Sequence, residues 1–145
     1  MRKKKNNKKK NLSVLIDGEN ISAKKAEAIM EVASNQGELY KAKVYGRQKD
    51  DYTKNWSNKA KKCGIEDIRL TGGPSKNKVD KKIQKDAKTI VRHDKNVDVV
   101  CIATNDAGYA ESIRDLRSQG KRVIGIGGKQ APDILRKSCS SFVEI

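Results

Sequence analysis

The sequence predicts an α/β fold in which a parallel sheet is covered by helices on both faces. Three observations carry this. Short apolar runs alternate with amphipathic stretches along the chain, the rhythm of βαβ units. Val97–Ala103 (VDVVCIA) is an almost unbroken apolar run, as expected of a central parallel strand. The first apolar run, Leu12 to Ile16, stops abruptly at Asp17-Gly18-Glu19-Asn20. An acid thus ends a buried strand at its carboxyl end, where open parallel sheets bind ligands.

In chain order, Met1–Lys10 (MRKKKNNKKK) is a basic tail, and residues 11–145 form one domain. After the first strand a helix is expected from about Asn20 to Asn35, with Ile21, Ala26, Ile29, Met30 and Ala33 as its apolar stripe. Tyr40–Tyr45 alternates as a second strand, and Gly46–Asp51 is a polar connection. Tyr52 to Cys63 reads as a helix with Trp56 and Ala60 inward and Gly64 just past its end. Ile65–Leu70 holds a third strand, and Thr71–Asn77 is a loop by composition.

The next helix, Lys78 to His93, breaks the usual pattern. With Val79 at zero and about 100° per residue, Ile83, Ala87 and Ile90 fall within about 80° on one stripe. Asp80 falls at about 100° and Asp86 at about 340°, so both acids turn toward the sheet. Carboxylates on a core-facing stripe are costly unless compensated, and such departures mark functional positions. Val97–Ala103 then runs into Thr104-Asn105-Asp106. A helix to Gln119 follows, then a strand at Arg122–Ile126, a last helix from Pro132 to about Ser138, and a short edge strand at Phe142–Ile145.

Composition narrows the classes. The formal net charge is +15, and the tail's seven Lys and Arg leave +8 on residues 11–145. That balance favours a polyanionic partner, nucleic acid above all, although a basic run can equally be a solvated tail. No apolar segment follows the tail as in a signal peptide, and no run is long enough to span a membrane. Cys63, Cys101 and Cys139 are widely spaced and His93 is the single histidine. A zinc site is therefore not expected, and reduced thiols in a cytoplasmic protein are. A homo-oligomer stays open.

Asp17 ends the first strand, Asp106 follows the fourth, and Asp80 opens a helix facing inward. If the first and fourth strands are neighbours, the three meet at one end of the sheet. Two carboxylates about 4 Å apart repel by about 4 kcal/mol at an effective dielectric of 20. A hard divalent cation, Mg²⁺ or Mn²⁺, removes that penalty and can activate water against a phosphodiester.

Leu15-Ile16-Asp17-Gly18-Glu19-Asn20-Ile21 resembles the opening motif of the NYN domain family, a branch of the PIN-like ribonucleases. Lys78-Val79-Asp80 with Asp86 resembles its second acidic motif, and Thr104-Asn105-Asp106 with Gly120-Lys121-Arg122-Val123 its third. The ending Pro132–Cys139 is similar to its last helix. The resemblance implies a three-layer, Rossmann-like sheet of about five strands in the order 3-2-1-4-5. It also implies metal-dependent cleavage of single-stranded or structured RNA, with Asp17, Asp80 and Asp106 as metal ligands and catalytic groups. Asn20 would position a ligand or phosphate, Thr104 matches a small hydroxyl position, and Asp86 would support the site. Many members carry a second acid in the third motif where this chain has Gly108, which bears on a second metal.

Each acid also has a plain structural reading. Asp17, Asn20 and Asp106 could cap helices, and Asp80 could favour a helix dipole. Asp86 lies about 9 Å along the helix from Asp80, so a buried pair with Lys is its alternative. Glu19 reads as exposed, and Trp56 and Tyr109 as core rather than stacking platforms. Gly72–Lys76 lacks the P-loop spacing and reads as a rim loop whose Lys76, with Lys78, touches RNA phosphate. Three functions compete: a metal-dependent ribonuclease, an RNA-binding module without catalysis, and a phosphoacceptor domain. The last is disfavoured because the third strand ends in Leu70-Thr71 with no acceptor Asp.

Overall fold

The structure, a computed structural model, describes residues 10–47, 51–71 and 78–145, the side chains of 51–54 and 78 excepted. Its strands are β1 (Asn11–Asp17), β2 (Glu38–Arg47), β3 (Glu66–Leu70), β4 (Val97–Ala103), β5 (Arg122–Gly127) and β6 (Ser141–Glu144). They form one sheet in the order β3-β2-β1-β4-β5-β6, and every pair is parallel. The expected five-strand order is present, with the short strand at the chain's end added at the edge beside β5. The helices are α1 (Ala26–Ser34), α2 (Asp51–Cys63), α3 (Lys78–His93), α4 (Ala110–Ser118) and α5 (Asp133–Ser138).

Alternation along β1 sorts the core into two. Leu12, Val14 and Ile16 pack with Ile29 and Ala33 of α1 and Trp56 and Ala60 of α2. Leu15 points the other way, into the layer of Val79, Ile83, Ala87 and Ile90 from α3 and Ile113 and Leu116 from α4. This is the period of two that a strand buried on both faces must show. Aromatics make up 4 % of the sequence, so each is conspicuous. Trp56 is fully buried and its indole N–H donates to the Ile21 carbonyl at 2.9 Å. Gly64 and Gly120 end α2 and α4 with φ of 72° and 90°, the left-handed closure only glycine adopts freely.

Two boundaries differ from expectation. The helix expected from Asn20 begins later, because Asn20 and Ile21 turn their backbone N–H groups back onto the Asp17 carbonyl, at 3.1 and 3.0 Å. Ser22 then caps a short 3-10 turn, Ala23–Lys25, that leads into α1. The second strand starts at Glu38, before Tyr40. Its first residues pair with β1 only, since β3 joins at Lys43 and beyond, and Leu39 and Tyr40 are left exposed.

β1 sits between β2 and β4, so the chain reverses its direction of winding there. Such a switch point opens a crevice at the carboxyl ends of the two strands. Register places Asp17 beside Tyr45 of β2, and Ile16 beside Ala103 of β4. Thr104 therefore emerges next to Asp17.

Candidate active site

Asp17 is 1 % exposed, an unusual place for a carboxylate. Its Oδ2 accepts from Asn20 Nδ2 at 2.6 Å and from Thr104 Oγ1 at 2.9 Å, and its Oδ1 from the Glu19 N–H at 3.3 Å. All three donors are neutral. Among the described residues no ion pair is seen between a Lys or Arg and Asp17, Asp80 or Asp106. Burial pushes the Asp17 carboxyl up to about 6, against the lowering effect of Asn20 and Thr104, and the charge of Asp80 pushes the same way.

Thr104 ties two of the acids together. Its hydroxyl donates to Asp17 and accepts from the Asp106 N–H at 3.1 Å. A buried hydroxyl that gives its proton to one partner and accepts from another is held in one orientation. Asp106 also accepts from the Gly108 N–H at 2.8 Å and so caps the short turn Ala107–Tyr109. The capping reading of Asp106 is thus present in the structure, alongside its place in the acidic group.

Asp80 reaches the same crevice from the first turn of α3. Tyr109, fully buried, donates its hydroxyl to Asp80 Oδ1 at 2.8 Å. Partial burial raises the Asp80 carboxyl, the Tyr109 bond lowers it, and Asp106 raises it again by charge and by a shared hydrogen bond. The Tyr109 phenol is itself raised, first by burial, then by the charges of Asp17, Asp80 and Asp106. The three acids therefore share one electrostatic neighbourhood. Among the described residues, no three His, Cys, Asp or Glu side chains are already gathered as a ligand set, so the group is a cluster and not a closed coordination shell.

Asp86 stands apart. It accepts from the Tyr45 hydroxyl at 2.6 Å and pairs with Lys82 at 3.2 Å and Lys43 at 4.0 Å. The helical wheel placed it on the right stripe, but six residues of rise carry it away from Asp80. Glu19, expected to be exposed, is largely buried and bonded to Arg47 at 2.5 Å. Lys76 and the side chain of Lys78 lie outside the described residues.

Sequence reasoning missed Asn105. Its Oδ1 accepts from the Gly128 N–H at 2.7 Å and its Nδ2 donates to the Asn20 carbonyl at 3.4 Å. One side chain thus links the loops that follow β1, β4 and β5. Gly127 makes room for it, since a Cβ there would stand 2.7 Å from Asn105 Oδ1 and from the Thr104 carbonyl. The only signal in the sequence was Asn105's place between Thr104 and Asp106.

A family model described as NYN domain matches residues 11–145. The chain belongs to the NYN domain family. That is a family of PIN-like fold, and the six-stranded parallel sheet agrees with it. No curated protein matches this NYN chain. Among solved structures, it is similar to a protein of unknown function, VPA0982, from Vibrio parahaemolyticus RIMD 2210633. The two are 21 % identical with a TM-score of 0.79, over 100 % of this chain and 96 % of the other. That likeness shows the fold alone. A glycotransferase of kitacinnamycin aligns at 12 % identity and a TM-score of 0.39, over 83 % of this chain and 30 % of the other, too low to carry an argument.

The donor set in this NYN domain fits a hard cation. It is carboxylate oxygen with no thiolate or imidazole near it, the preference of Mg²⁺ and Mn²⁺. The buried Asp17 charge lacks a cationic partner among the described residues, which is the deficit such an ion would remove.

Proposed function

We propose that this NYN domain is a ribonuclease dependent on Mg²⁺ or Mn²⁺, with Asp17, Asp80 and Asp106 holding the ion. The observation that carries the reading is the buried Asp17 carboxylate, held among the described residues by neutral donors alone and within the field of further acids. A bound divalent ion would lower the pKa of its water and offset the charge that develops on a phosphodiester.

The chain's own residues prepare the site. Asn20 and Thr104 fix the plane of the Asp17 carboxylate. Thr104 also holds the backbone of Asp106 in register with Asp17. Tyr109 fixes Asp80 Oδ1. Precise placement of this kind by supporting hydrogen bonds is what makes a carboxylate cluster selective. The formal charge of +15 collects polyanionic RNA at long range, and Lys76 and Lys78 would touch its phosphates from the rim.

Purified protein should cut RNA in Mn²⁺ or Mg²⁺ and leave a 5′-phosphate product, and Asp17→Asn should abolish cutting. Cleavage that persists undiminished in Asp17→Asn would overturn the assignment. A second reading, an RNA-binding module without catalysis, draws on Gly108. A Cβ there would lie 3.2 Å from Asp106 Oδ1, so an acid at that position would have joined the cluster, and this chain has none. RNA affinity that is indifferent to metal, with no product over hours, would favour that module.

A further inference from the structure

Beside the acids lies a cleft of about 420 Å³, walled by the loops after β1, β4 and β5. Its walls are already built. Asn105 joins all three loops, as described above. Arg136 of α5 binds the carbonyls of Ala131, Gly128 and Lys129 at 2.8, 3.0 and 3.3 Å and the Glu144 carboxylate at 3.0 Å. The loop after β5 is thus held by one guanidinium, which occupies its carbonyl acceptors.

The lining has three chemistries. Ile21 and Ile145 are apolar, Asn20, Asn105 and Gln130 supply amides, and Lys25 and Lys129 supply cations. Both lysines are exposed and neither is in an ion pair among the described residues. Asn20 is shared with the acidic cluster, through its 2.6 Å bond to Asp17. Whatever fills the cleft is therefore continuous with whatever the acids act on.

We propose that this cleft is a subsite for one nucleotide of single-stranded RNA, with its phosphate on Lys25 and Lys129. Apolar side chains suit the face of a base, amides suit its edge, and the lysines suit its phosphate. The volume is that of a small-ligand site, which one unstacked nucleotide fits and a stacked duplex does not. The assignment rests on the ribonuclease reading of the acids for its substrate, but its test needs no catalysis.

The test is equilibrium binding of a fluorescent oligouridylate to the full chain in EDTA, across a salt series. Lys25→Ala/Lys129→Ala should flatten the log–log salt slope by about 0.7, the value for one lost phosphate contact on a single strand. Between about 50 and 200 mM salt that is about a 2.6-fold smaller loss of affinity than the wild type shows. Duplex RNA should bind the variant as it binds the wild type. Lys62→Ala/Lys95→Ala, which removes the same charge from exposed positions at the opposite end of the sheet, should keep the wild-type slope. An unchanged slope in the cleft variant, an equal change in the control pair, or an equal loss on duplex RNA would each overturn the subsite. Tighter binding of an oligothymidylate would assign the cleft to DNA and overturn it too. Failure of metal-dependent cutting with these binding results intact would sink the nuclease reading and leave the subsite standing.

Discussion

Replacing Asp17 with Asn should make the metal-free protein more stable, although it removes the residue at the centre of the site. Burial raises the Asp17 carboxyl from 3.8 to about 6. That difference corresponds to about 3 kcal/mol. The native state binds this proton more tightly than the unfolded chain does. The contribution to stability is therefore fully present below about pH 4 and is lost as pH rises through about 6. At pH 8 the wild type carries an ionised carboxylate at 1 % exposure, and Asn carries no charge. An Asn oxygen in place of Oδ2 keeps the bonds from Asn20 and Thr104, while its amide leaves the 3.3 Å Glu19 N–H without an acceptor, at about 1 kcal/mol. The net gain at pH 8 is about 2 kcal/mol. The assay is urea denaturation in EDTA, read from the single tryptophan, Trp56, which is fully buried. At pH 4 the gain should be gone and the variant slightly the less stable, because the lost Glu19 bond is no longer offset, and the gain should be complete above pH 7. Adding Mn²⁺ should reverse the ranking, because only the wild type gains binding free energy. A variant less stable at pH 8, or a difference constant from pH 4 to pH 8, would refute the claim that the site stores an uncompensated charge.

Three further outcomes follow from the same contacts. Thr104→Val keeps the shape but deprives Asp17 of a donor and the Asp106 N–H of an acceptor, so stability should fall by about 1–3 kcal/mol and RNA cleavage should fall with it, both restored by Thr104→Ser. Gly127→Ala should cost about 1–3 kcal/mol in denaturation, since the added methyl meets Asn105 and the Thr104 carbonyl at 2.7 Å. Tyr45→Phe removes the 2.6 Å bond to Asp86 and should lower stability by about 1 kcal/mol, with Mn²⁺ affinity, followed by calorimetry, unchanged.

Much of this was readable in the residues, and the reasons for the rest are physical. Asp17 announced itself because an acid ending an apolar run breaks a local pattern. The wheel turned Asp80 inward correctly, because an angle on a helix is a local property. Angle alone does not separate Asp80 from Asp86, but the axial distance of about 9 Å between them does. The lysine pairing which that distance suggested for Asp86 is present, with Tyr45 of β2 as a further partner. Glu19 and Asn105 were misjudged or missed for one common reason. Their partners, Arg47 for one and Gly128 and the Asn20 carbonyl for the other, lie on neighbouring strands or loops far away in sequence. The late start of α1 was hidden because Asn20 has two uses, helix cap or ligand to Asp17, and the structure takes the second.

Whether scattered carboxylates seat one hard ion is decided most directly by soaking crystals in Mn²⁺ and collecting anomalous data. A peak bounded by oxygens of Asp17, Asp80 and Asp106, missing from Asp17→Asn crystals treated alike, is the result these contacts require. A fully soaked crystal with its only manganese elsewhere, or with none, would contradict it.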